Sequence, residues 1–154
     1  MNGPRRIVID MTGRPWGGAL ELSQVGPLDA HIVIGSMFTD KSAFDSQSPL
    51  RMLDGRVEVG APVSANEASL HIAFVADGKP GSVTRDQVMT AVRICALWRS
   101  KYRGERGKIP IEVSADILAG RFAFDVEKFR LLVQNWESSN RTMREYPSKH
   151  AMGD

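Results

Sequence analysis

Apolar positions along this chain fall into two kinds of pattern, and their order sketches a fold. Short β-branched runs come first: Ile7-Val8-Ile9, then His31 to Ile34, then Leu70 to Ala76. Each closes on Asp or Gly, as strands do where the chain must turn. Between the second and third, LRMLDGRVEV (residues 50–59) is a hairpin pattern. Its Asp54-Gly55 pair supplies the two positive-φ positions of a type I′ turn. A further strand is predicted in KIPIEVS, residues 108–114. Residues 19–24, ALELSQ, allow a short helix before Gly26 and Pro27 stop it.

The second pattern has helical spacing. Val88, Ala91, Val92, Cys95, Trp98 and Tyr102 form one apolar stripe, which Gly104 and Gly107 end. Thr84 and Gln87 stand where a capping box starts that helix, each side chain satisfying the other's free backbone N–H. Val126, Phe129, Leu132, Val133 and Trp136 make a second stripe. Asp125 is its natural N-cap, and Phe124 and Phe129 are spaced as a hydrophobic staple. Beyond Ser138 the sequence turns polar, which predicts an extended or poorly ordered arm from Asn140.

Strands followed by single helices predict an α/β fold, a mixed central β-sheet flanked by helices. The expected organisation is one domain over residues 1–138 and a polar C-terminal tail over 139–154. Residues 36–50 read as an inserted loop, in which Met37, Phe38 and Phe44 are candidate apolar anchors for a partner.

Composition narrows the function classes. The chain has 154 residues and a formal net charge of +2, from 20 basic and 18 acidic side chains. That balance argues against a nucleic-acid or anionic-membrane partner. Arg99, Lys101, Arg103, Arg106 and Lys108 cluster at a helix end, where they read as a solvated face complementing the helix dipole. The single Cys95 lies on the apolar stripe and reads as a buried, inert thiol. The first ten residues carry no apolar run suited to a signal peptide, so a cytoplasmic protein is expected.

Several segments together resemble the zinc-dependent N-acetylmuramoyl-L-alanine amidases, the group that includes amidase-type phage lysozymes and peptidoglycan recognition proteins. The resemblance runs from Ile7 to about Phe129. It rests on the strand IVID, on DAHIVIG, on the hairpin LDGRVEVG, on Ser69-Leu70-His71, on the Thr84-x-x-Gln87 helix start and on SADILAGRFAFD. That last segment keeps Asp116, Ile117, Gly120, Arg121, Phe124 and Asp125 of the family pattern. The resemblance implies an amidase-like fold whose former active-site cleft lies at Asp10, Ala30, His31, Ser114 and Arg121.

The same comparison implies that the zinc ligands are lost. Asp10 stands for the first histidine ligand and Ser114 for the second. The third is absent, either replaced by Arg121 or removed by a short deletion before Phe124. Ala30 replaces the tyrosine that precedes His31. A catalytic zinc takes about three protein ligands and one open position for water, so no zinc or other cofactor is expected. A rebuilt metal site from Asp10, His31 and His71 is the weaker alternative, since two histidines and a carboxylate can hold zinc or iron. An Asp10–His31 or Asp10–Arg121 pair is a further possibility. The expected function is therefore binding without catalysis, to a protein partner or to peptidoglycan. The resemblance allows a phage origin, with the host cytoplasm or the virion as location. The competing expectation is a peptidoglycan hydrolase with a non-standard metal site.

Overall fold

The computed structural model describes residues 4–14, 30–35, 57–59, 69–104 and 107–145. Its centre is a five-stranded sheet built from β1 (Arg6–Met11), β2 (Ile32–Ile34), β3 (Val57–Val59), β4 (Ser69–Phe74) and β7 (Ile111–Val113), in the order β3-β2-β4-β1-β7. β1 pairs in parallel with both β4 and β7, and β2 pairs in parallel with β4. Only β3 runs antiparallel, against β2, with Val33 opposite Glu58. The first half of the predicted hairpin, residues 50–56, lies outside the described residues, as does the short helix predicted at 19–24.

The central place of β1 follows from its composition. Ile7, Val8 and Ile9 are all buried, and a continuous apolar run is what a strand covered on both faces requires. Strand alternation then sorts the side chains. Ile7, Ile9, Met11, Ile72, Phe74 and Ile111 face one way, into a core shared with Ala91, Val92, Cys95, Phe129 and Val133. The opposite face carries a smaller apolar cluster of Ala30, Val33, Ala73 and Val75.

Two long helices cover the first face. α1 (Arg85–Lys101) begins at Thr84, and the predicted capping box is formed: Gln87 N–H donates to Thr84 Oγ1 at 3.1 Å and Thr84 N–H to Gln87 Oε1 at 2.9 Å. A two-stranded hairpin, β5 (Arg103–Gly104) with β6 (Gly107–Lys108), follows α1. The four-residue α2 (Ala115–Leu118) leads to α3 (Val126–Glu145). Asp125 caps α3, its carboxylate accepting from Lys128 N–H at 3.1 Å, and the Phe124 and Phe129 rings meet at 5.6 Å as the staple pattern predicts.

Two differences from the sequence reading concern these helices. SADIL, whose pattern predicts no helix, forms a helical turn because Ser114 caps it. α3 also continues past Asn140 to Glu145. Residues there lack an apolar stripe, so the sequence carries no periodic signal for a helix. α3 further covers the outer edge of β7: Arg130 Nε and Nη2 donate to Ile111 O at 2.8 and 2.6 Å. This occupies a carbonyl on an edge strand that would otherwise be open to another strand.

Candidate functional site

At the carboxyl end of β1, alternation turns Asp10 away from the two-helix core, to the face that carries Val8. Its neighbour across the β1–β7 ladder is Ser114, just past the end of β7. Ser114 N–H donates to Ile9 O at 2.9 Å, which fixes its backbone against β1. The Ser114 hydroxyl donates to Asp10 Oδ1 at 2.7 Å and accepts from Ile117 N–H at 3.3 Å. One side chain thus caps α2 and ties it to the central strand. Met11 N–H also donates to Asp10 Oδ1, at 2.8 Å.

This environment acts on the Asp10 carboxyl. Burial pushes its pKa above the ordinary carboxylate value, and the neighbouring Asp116 charge adds to the shift. The Ser114 and Met11 hydrogen bonds and the His71 ring oppose the shift without cancelling it.

On the other side of β1, His71 of the adjacent β4 meets His31, which precedes β2. His31 N–H donates to His71 O at 2.9 Å, and His71 N–H donates to His31 Nδ1 at 3.0 Å. The imidazole thereby satisfies a β4 backbone N–H just before β2 takes up the ladder. The two rings stack, with centroids 5.9 Å apart and planes inclined by 23°. A ring that accepts through Nδ1 carries its proton on Nε2 when neutral. Ala30, beside His31, is buried in the small cluster with Val33, Ala73 and Val75.

Arg121 is placed differently from the pairing considered in sequence. Its Nε donates to Asp116 Oδ1 at 2.7 Å in an exposed ion pair, so its partner is Asp116 rather than Asp10. Asp10 likewise pairs with Ser114 rather than with His31. The Gly-Arg turn has a backbone purpose: Gly120 adopts φ +83°, and Gly120, Arg121 and Phe122 return their N–H groups to carbonyls of α2. Phe122 then lies across the ends of the strands. A Cβ on Gly78 (φ +93°) would stand 2.3 Å from Phe122 Cδ1, and one on Gly13 would stand 3.4 Å from its Cζ. Ala123 N–H donates to Gly78 O at 2.8 Å, locking this loop to the one that follows β4.

Asp10, Ser114 and Asp116 therefore form one group, with His71 close enough to act on Asp10 electrostatically. His31 belongs to the adjoining β2–β4 ladder. Met37, Phe38 and Phe44 lie outside the described residues. Among the described residues no group of three or more His, Cys, Asp or Glu is placed to hold a metal ion, and no helix is long and apolar enough to cross a membrane.

Sequence reasoning missed one buried polar residue. Gln87 is fully buried, and beyond its capping role its Nε2 donates to Ile34 O and Val75 O, each at 3.0 Å. It joins the carboxyl ends of β2 and β4 to the start of α1. The capping-box spacing pointed to Gln87, but nothing local could reveal the two carbonyls.

No family model matches the sequence, and no curated protein or solved structure matches it either.

Proposed function

We propose that this chain is a binding protein on an amidase-like scaffold, in which the positions of a zinc site have been given over to structural hydrogen bonds. The observation that carries this reading is the Ser114 hydroxyl. It gives its proton to Asp10 and takes one from Ile117 N–H, so it holds the β1–β7–α2 corner together. A neutral serine hydroxyl is a poor zinc ligand. His31 offers no better donor, because Nδ1 is engaged by His71 N–H and Nε2 carries the ring proton. The arginine at the end of the motif pairs outward with Asp116. These donors do not fit the zinc that the resemblance implies. The element order supports the scaffold: four strands, a capped helix, a two-stranded hairpin, a further strand, a one-turn helix and the final helix.

A protein is the favoured partner over peptidoglycan. With Ala30 buried in an apolar cluster, the position of the family's tyrosine contributes no polar group to a cleft that would hold a sugar-linked peptide. A phage origin remains part of this reading through the resemblance alone.

Zymography on cell-wall substrate tests the proposal, run with and without added zinc and paired with co-sedimentation on insoluble peptidoglycan. No clearing, no co-sedimentation, and capture of one host protein that untagged chain competes away are expected. Zinc-dependent clearing that Asp10→Ala abolishes would identify a hydrolase instead. Saturable sedimentation without clearing would assign peptidoglycan as the ligand.

A further inference from the structure

Away from the sheet ends, the seam between α1 and α3 carries a buried charge cluster. Glu137 of α3 has a side chain only 10% exposed, and Arg99 of α1 one 13% exposed, with Arg99 Nη1 3.6 Å from Glu137 Oε1. Lys108 of β6 brings its Nζ to 3.1 Å from the same oxygen. Charge attraction operates at these separations, yet neither contact is a hydrogen bond: the Arg99 contact is too long and the Lys108 contact is misaligned. Both Glu137 oxygens and Arg99 Nε are sealed from solvent without a hydrogen-bond partner. Buried ionic atoms left in this state bear their desolvation cost without the compensation that good geometry gives. Hydration on opening would relieve all three atoms at once.

What lies beneath the cluster makes its opening observable. Cys95, one turn before Arg99 on α1, is fully buried. Burial pushes its thiol up to about 12, with Arg99 and Glu137 acting on it in opposite senses. The closed seam therefore presents neither access to the sulfur nor a thiolate.

We infer that the Arg99–Glu137–Lys108 cluster is a local opening point, at which the β5–β6 hairpin and the end of α1 part from α3 without global unfolding. Sub-global openings are drawn from the least stabilised parts of a fold, and uncompensated buried ionic atoms lower the local stability. The device is built into the fold and is independent of the binding function proposed above.

Labelling of Cys95 by a disulfide reagent in low urea tests it, with amide exchange of Lys108, Arg99 and Ile72 measured alongside. The expected result is labelling whose rate depends only weakly on urea, since local opening exposes little surface. Lys108 and Arg99 amides should exchange faster than Ile72. Arg99→Met/Glu137→Met should slow labelling, while Glu137→Ala alone, which leaves two cations unpaired, should speed it by about tenfold or more. A urea slope equal to that of global unfolding, or exchange of all three amides at one common rate, would overturn the inference. These last two readouts use the unaltered chain, so they decide the matter even if a variant fails to fold.

Discussion

Asp10 shows how one residue can be read in two ways. In sequence it stands at the end of a strand, where the amidase resemblance would put a metal ligand. In the structure its Oδ1 receives the Ser114 hydroxyl and the Met11 N–H, and no cation is paired with it among the described residues. Burial raises its pKa above 3.8. The folded state then holds the Asp10 proton more tightly than the unfolded state does. Its contribution to stability is fully present below the unfolded value and is lost as pH rises through the folded one. Asp10→Asn keeps an oxygen for both donors and removes the charge. It should match or exceed the parent in stability at pH 7 and flatten the decline that the raised Asp10 carboxyl contributes as pH rises. Urea unfolding from pH 3 to 7 checks this, and a clear loss of stability at pH 7 would mean that the ionised carboxylate is net favourable.

At the scale of elements, the buried Gln87 side chain joins one helix to two strands. It caps α1 and also donates to the ends of β2 and β4. Gln87→Leu preserves the approximate volume but strands Thr84 N–H and two buried carbonyls. A loss of about 2–4 kcal/mol is expected, several net hydrogen bonds' worth, measured as a shift of the denaturation midpoint. A loss below about 1 kcal/mol would show that the neighbours find other partners. Glu at this position should be worse, because a carboxylate would face both carbonyls.

Most elements were legible because their signals are local. The apolar run at Ile7–Ile9, the Thr84–Gln87 box and the Asp125 cap became what their spacing predicts, and the run at Leu70–Ala76 became a strand that ends two residues earlier, at Phe74. α2 escaped because four residues give no periodicity, although Ser-x-Asp is a capping signal that could have marked it. The candidate site was legible only as a set of positions. Its bonds join residues far apart in sequence, Asp10 with Ser114 and His31 with His71. Spacing cannot report which partner a side chain meets across a sheet, and so Arg121 was considered with Asp10 when its actual partner lies five residues away.

Over the whole molecule, a mostly parallel sheet carries its helical core on one face and the Asp10–Ser114 corner on the other. Ligands of α/β proteins commonly sit beyond the carboxyl ends of such strands. Here that region is tied by backbone bonds and filled in part by Phe122 packed over Gly13 and Gly78. On the function proposed above, Asp10 and Ser114 stabilise this corner and do not hold zinc. Isothermal titration of Zn²⁺ into the metal-free chain at pH 7 addresses it directly. Only the heat of dilution is expected. A saturable isotherm with one zinc per chain, lost in both Asp10→Ala and Ser114→Ala, would contradict it.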